Sequence, residues 1–409
     1  MRNTKLFRLL ALLFAVSLFA AACGASDTGD GSADAGAETD AGDDAGDDAG
    51  DDASDAGDDD AGDDAGDDAG DDAGDDAGDD TEEVDVAQGS TLAAVQDRGT
   101  LNCGVSGAAV AFSFTQADGT VEGIDADYCR AVAAAVLGDA NAVTFVALTA
   151  AERFDAVNTG QVDVLMRNTT WTQSRDTEVG MDFGPTTYYD GQQLMAREGD
   201  GFSGGSEVSD IEGATVCTNA GTTTETNITE LTQTLGVNIT LQTFEDFNIV
   251  TEQFIAGTCD IITTDGSGLV GRKAEQQPDG ENWVIFPASP ISKEPLGPTY
   301  AQNDSQWADV INWTVYATFI LGDEYDVNSG NAEAMATDGP PEVVRLLGGE
   351  GELQSAMGLS ADAFLNTITQ VGTYDEIFNR NLNPVGLERE GSFNDSWLNG
   401  GLIYAPPAR

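Results

Sequence analysis

The chain has 409 residues, 40% of them apolar, enough for two or three domains with a real core. A net charge of −57, with no run rich in Lys or Arg, excludes a grip on nucleic acid, which needs clustered bases against phosphate. The sequence holds no histidine, which excludes catalytic triads, imidazole bases and His-rich metal sites.

The first segment has three parts. Arg2, Lys5 and Arg8 make a positive start, Leu9 to Ala22 is apolar and too short to span a bilayer, and Ala20-Ala21-Ala22 precede Cys23. Residues 1–22 therefore read as a secretory signal peptide. Small residues directly before a cysteine resemble a bacterial lipobox, which makes Cys23 the expected site of lipidation and the anchor to a membrane. The alternative is ordinary cleavage, with Cys23 a spare thiol. Residues 23–87 are low in complexity and dominated by Asp-Asp-Ala-Gly repeats. Such a stretch repels itself and has no apolar period to offset its ordering entropy, so it is expected to be a disordered acidic tether. A neutral coil of that length averages roughly 45 Å end to end, and charge extends it. Calcium binding by the repeat is the alternative, but the bidentate Glu of an EF-hand loop is missing.

Past the tether, 45 Asp and Glu face 13 Lys and Arg. An acidic, Lys-poor surface suits a salty medium, where charge is screened over short distances. Unfolding on dilution into low salt is the expected outcome, and full stability there would sink the idea.

Residues 88–409 alternate between two periodicities. Strands are expected at Leu101–Val105, Val143–Val146 and Val162–Leu165, with helices at Tyr128–Leu137 and Ala151–Thr159 between them. The pattern restarts with strands at Ala214–Cys217, Ile239–Thr243 and Cys259–Thr263, and with helices from Thr223 and at Ile249–Ala256. Strands separated by helices imply βαβ units and largely parallel sheets. Two α/β lobes follow, the second (193–285) inserted into the first (88–192 and 286–409). Helices at Gln306–Leu321, Pro341–Leu347, Ala361–Val371 and Tyr374–Phe378 complete the first lobe. The chain is expected to cross between lobes near Gly191–Arg197 and Pro287–Tyr300.

With Cys23 set aside, four cysteines remain, and an even set in an exported chain suggests disulfides. Of three connectivities, Cys103–Cys129 and Cys217–Cys259 are favoured because each pair then lies within one lobe. Loops of that size contribute on the order of 3–4 kcal/mol each in the chain-entropy model. Buried free thiols are the alternative.

Three polar turns follow strands, where open α/β sheets bind ligands. In the first, Arg167 to Arg175, the Arg175 guanidinium suits a carboxylate as a planar fork, and Thr170 adds a hydroxyl. Arg175 is expected to be the only buried cation facing that carboxylate. A surface Arg beside a Thr cap is the plain alternative. In the second, Asn219 to Glu225, a glycine-containing turn opens a helix whose dipole and free N–H groups suit an anion, and Thr222 with Glu225 also fits a capping box. In the third, Thr263 to Gly268, Asp265 suits an ammonium, or simply an Asx-type turn. A cation, a helix N-terminus and a carboxylate spread over two lobes match the zwitterion of a free amino acid.

At these residues the chain resembles the polar-amino-acid-binding proteins of ABC transporters. The run from Glu122-Gly123-Ile124-Asp125 to Ala131 is similar to the family's opening. Arg167-Asn168-Thr169-Thr170-Trp171-Thr172, Gly221-Thr222-Thr223-Thr224-Glu225, Ile291 to Pro298 and Tyr404-Ala405-Pro406-Pro407 are similar to its general L-amino-acid-binding branch. The resemblance covers nearly all of residues 90–409. The lipobox and the acidic tether depart from the usual soluble periplasmic form. The resemblance implies a two-lobed type 2 periplasmic-binding-protein fold that closes on its ligand. By position, it implies that Arg175 clamps the α-carboxylate with Thr170 and the amides near Thr222 and Thr223. Asp265 then takes the α-ammonium beside a carbonyl near Asn168, and Phe112 or Phe114 packs on the ligand. It implies permease subunits of an ABC importer as partners, an extracytoplasmic place, a monomer, and neither cofactor nor metal.

An exported dehydratase of the same fold is the main rival. Without histidine it needs carboxylate bases, and no paired carboxylates at strand ends are evident in the sequence. A structural surface protein is a second rival and predicts no small ligand. Acidic, amide and neutral side chains are all compatible with the sequence as ligands.

Overall fold

The computed structural model describes residues 90–350 and 352–409, so the expected signal peptide, the expected lipidation of Cys23 and the expected tether lie outside the described residues. Two strand–helix series close two five-stranded sheets of the same plan. In the first sheet the order is Val143–Ala147, Leu101–Val105, Val164–Leu165, Thr299–Ala301, Met181–Phe183. In the second it is Thr240–Phe244, Thr215–Asn219, Ile261–Asp265, Gln192–Arg197, Trp283–Phe286. The first three strands of each sheet run parallel, and the last two join antiparallel. In both sheets the fourth strand enters after a crossing from the other lobe. The second lobe is thus inserted into the first, in a two-lobed α/β architecture.

Sequence periodicity finds the parallel strands because helices separate them. It does not name Met181–Phe183 or Trp283–Phe286, which are only three and four residues long, and it takes the six-residue Gln192–Arg197 for a crossing. One expected crossing moves accordingly. Residues 192–197 belong to the second sheet rather than to a connecting strand. The connection is a two-stranded antiparallel ribbon, Tyr188–Asp190 against Glu294–Leu296. The helix expected from Tyr128 starts earlier, at Ile124, where two aspartates in its first turn suit the positive end of the dipole.

The two lobes have separate cores. Strand Leu101–Val105 and helix Ile124–Leu137 pack with the long helix Ser305–Tyr325 and the later helices in the largest apolar cluster. The second sheet is covered on one side by Val208, Ile211 and Ile228, and on the other by Val250, Phe254 and Leu269. Cys103 is bonded to Cys129, tying a central strand to its covering helix across a Cα separation of 6.0 Å. Cys217 is bonded to Cys259 at 5.9 Å, linking neighbouring parallel strands near Ile261 in the second lobe. No helix among the described residues is long and apolar enough to cross a membrane.

Candidate functional site

The carboxyl ends of the parallel strands in both sheets converge on one cavity, as the switch-point rule expects. With the walls this close the cavity is tight, about 70 Å³. The first lobe contributes Ser106, Ala108 to Val110, Phe112, Arg153, Arg167, Asn168, Thr170 and Arg175. The second contributes Asn219, Thr222 to Thr224, Phe247, Thr264, Asp265, Ser267, Gly268 and Arg272.

Seven of the eight expected ligand-binding residues meet here: Arg175, Thr170, Asn168, Asp265, Thr222, Thr223 and Phe112. Phe114 does not line the cavity. It lies in strand Ser113–Thr115, half-buried and paired with Ala108 and Glu122, where the pleat turns its side chain to a different face from its neighbours. Phe112 does double service, since it also packs edge-on against Tyr188 at 5.3 Å.

Each side chain is held by local structure. Thr172 caps the short helix Gln173–Thr177 by accepting the Arg175 N–H, and the Arg175 guanidinium donates back to the Thr170 carbonyl at 2.8 Å. Asn168 adopts φ 34°, a left-handed turn rarely taken outside glycine. Its N–H is fixed by the buried Asp125 carboxylate at 2.8 Å. Burial raises the Asp125 pKa to about 7, against the opposing pull of that hydrogen bond and of Arg167. Thr222 caps the helix Thr223–Leu235 through the Glu225 N–H, while the Glu225 side chain accepts from Gly221 rather than from Thr222 itself. The positive end of this helix, at Thr222 to Thr224, therefore lies at the cavity wall.

The two walls touch. Asn168 donates its amide to Asp265 across the cleft at 3.2 Å, and Arg272 of the second lobe donates to the Ala108 carbonyl of the first at 2.5 Å. Gly271 permits this approach, because a Cβ there would stand 3.0 Å from the Val110 side chain.

The electrostatics correct one expectation. Arg175 is not the only buried cation. Arg153, Arg167 and Arg272 share the cavity and are 3%, 8% and 2% exposed, against 7% for Arg175. None of the four has a carboxylate within ion-pair distance among the described residues. Burial pushes all four guanidinium pKa values down, Arg167 to about 10 and Arg153 furthest, where Arg167 and Arg175 add repulsion. An entering anion relieves that penalty.

Asp265 is the opposing charge. Its carboxyl pKa lies well above the ordinary range because of burial, then of Asp190 and Glu294 nearby. An incoming ammonium favours its ionised form. The sequence showed no such grouping of acids, since Asp190, Asp265 and Glu294 come together only when the connecting ribbon meets the second sheet. Asp190 and Glu294 stand behind the wall rather than in it. Asp190 is bonded to Ser267 and Gly191, and Glu294 accepts from Asn227, Ser292 and Thr223.

Sequence reasoning also missed Arg153, Arg272 and Phe247 as cavity residues. The first lies in the segment read as a plain helix. Its position just past a parallel strand was the signal available. Arg272 lies on helix Gly266–Gln276, a full turn beyond the polar turn that drew attention.

Comparisons with known proteins agree with this geometry. Residues 101–384 match the profile of the bacterial extracellular solute-binding proteins, family 3. The general L-amino acid-binding periplasmic protein AapJ of Rhizobium johnstonii is 40% identical over 328 residues, which is 79% of this chain and 94% of the relative. The glutamate/glutamine/aspartate/asparagine-binding protein BztA of Rhodobacter capsulatus is 41% identical over 327 residues, again 79% and 94%. An ABC transporter periplasmic binding protein from Brucella ovis, solved with glutathione bound, superposes with a TM-score of 0.73 at 41% identity. That match covers 78% of this chain and 99% of the other. The cleft, the twin sheets and the matched length lead to one conclusion: the chain belongs to family 3 of the bacterial extracellular solute-binding proteins.

Proposed function

We propose that this protein captures free L-amino acids outside the cytoplasm and delivers them to the permease of an ABC importer. One observation carries the reading: Arg175 and Asp265 stand on walls from different lobes, lining one cavity with the N-terminus of helix Thr223–Leu235. A carboxylate and an ammonium on one carbon need that pair of opposite charges, because both lose water on entry. In this reading Arg175, Thr170 and the amides of Thr222 and Thr223 hold the α-carboxylate. Asp265 and the backbone at Asn168 hold the α-ammonium, and Phe112 packs on the ligand.

Contacts from both walls favour the closed arrangement over the open one, which gives the importer a form to recognise. The names of the two relatives, an L-amino acid binder and a binder of acidic amino acids and their amides, support the ligand class. The reading makes the protein a carrier and not an enzyme. The three acids near the site leave only Asp265 facing the cavity, whereas dehydration by carboxylates needs an acid and a base at the substrate. Lipidation at Cys23 would hold the globule to the membrane through residues 23–87, close to its permease.

Calorimetric titration of the protein with each of the twenty amino acids tests the proposal. Saturable binding without turnover is expected. No heat and no thermal protection with any amino acid would refute it.

A further inference from the structure

The α-groups of a ligand account for Arg175 and Asp265, and leave Arg153, Arg167 and Arg272 at the cavity. Two of these have work in the protein itself. Arg167 donates to the Leu148 carbonyl at 2.9 Å and lies in the field of Asp125 and Asp246. Arg272 donates to Asn248 and to Ala108. Arg153 has neither. It is 3% exposed, has no hydrogen-bond or ion-pair partner among the described residues, and its Nε is buried without an acceptor. Its guanidinium stacks on the Phe154 ring at 4.7 Å from the centroid, and the Arg175 guanidinium sits 5.4 Å from the same ring. The two guanidinium carbons are therefore no more than about 10 Å apart.

We infer that the preferred ligands are amino acids with a second carboxylate, and that Arg153 is the residue that meets it. The inference rests on the amino-acid reading of the cavity. In a four- or five-carbon amino diacid the carboxylate carbons stand about 4–5 Å apart, as bond lengths dictate. A carboxylate carbon sits about 4 Å from a guanidinium carbon in a bidentate pair, so one diacid spans Arg175 and Arg153. A second carboxylate supplies the partner that Arg153 lacks. A neutral amide offers one acceptor oxygen and no charge, and a cationic side chain meets repulsion from Arg153, Arg167 and Arg272 together.

The test compares L-glutamate, its near-isostere L-glutamine, and L-lysine by calorimetry on the full chain. Glutamate is expected to bind roughly tenfold or more tighter than glutamine, with lysine the weakest of the three. In Arg153→Gln the ratio between glutamate and glutamine should fall towards one, with glutamate losing far more. Arg153→Lys should restore part of the ratio. Equal binding of glutamate and glutamine by the unaltered protein would overturn the inference without any variant. So would a loss in Arg153→Gln that is the same for both ligands. If none of the three amino acids binds, nor any other, it is the transport reading that fails, a result distinct from binding without acidic preference.

Discussion

Two groups of arginines stand apart in this protein. In the scaffold, Arg98, Arg130, Arg197, Arg380 and Arg389 each lie against an Asp or Glu. In the cleft, four arginines that are at least as buried as any of these have no such partner among the described residues. In a chain with 73 acidic residues, carboxylates are not scarce. An unpaired buried charge costs several kcal/mol, so a fold that keeps four together is poised to receive negative charge from outside. Position along the chain does not reveal which group an arginine joins; the neighbours that the fold supplies do.

The contrast can be broken by exchanging effects between the groups. Arg389 makes a two-pronged contact with Asp323 and single contacts with Asp375 and the Asn394 carbonyl. Arg389→Ala should therefore cost about 3 kcal/mol of stability, because the partly buried Asp323 loses its cation and keeps only Ser396. Denaturant unfolding measures this, and amino-acid affinity should stay near that of the unaltered protein. Arg175→Ala should do the reverse. A loss of about 3 kcal/mol in binding is expected, at the lower end for a desolvated pair because Arg153 and Arg167 remain nearby. Unfolding should change little, or shift towards greater stability. If both variants lose stability alike, the distinction between the two groups is wrong.

A smaller effect concerns pH. The folded-state pKa values of Asp125 (about 7), Asp190 (about 6) and Asp265 are raised by burial above their unfolded values. The stability they contribute is full below the ordinary carboxylate range and is lost as pH rises through the folded values. Ligand affinity should run the other way, since the ammonium needs ionised Asp265. Affinity is expected to weaken as pH falls towards the ordinary carboxylate range, with proton release seen as a dependence of binding heat on buffer. In Asp265→Asn, affinity should drop by about 2 kcal/mol and most of that pH slope should vanish. The smallest effect belongs to the exposed pair Arg197–Asp200, where Asp200→Ala should change stability by no more than about 0.5 kcal/mol.

Much of this was legible in the sequence, for physical reasons. The parallel strands announce themselves because helices must separate them, and the three polar turns follow directly at their carboxyl ends. That is why Arg175, Thr170, Asp265 and Thr222 could be named before any coordinates. Phe114 went astray because the strand begins only at Ser113: Phe112 lies in the turn before it, at the cavity wall, while Phe114 is held within the small sheet between Ala108 and Glu122. Arg153 and Arg272 were hidden because their significance lies in what they lack. An absent partner has no sequence signature, and only the folded neighbourhood shows that no carboxylate reaches them. The acids Asp190, Asp265 and Glu294 were missed for a related reason, since a long stretch of chain separates residues that the connecting ribbon brings together.

The most direct test of the central claim is a crystal structure of the protein with its best-titrating amino acid in the cleft. The α-carboxylate should lie within about 3 Å of the Arg175 guanidinium, and the α-ammonium at the same range from Asp265. A ligand lodged with its carboxylate away from Arg175, or its ammonium away from Asp265, would contradict the account.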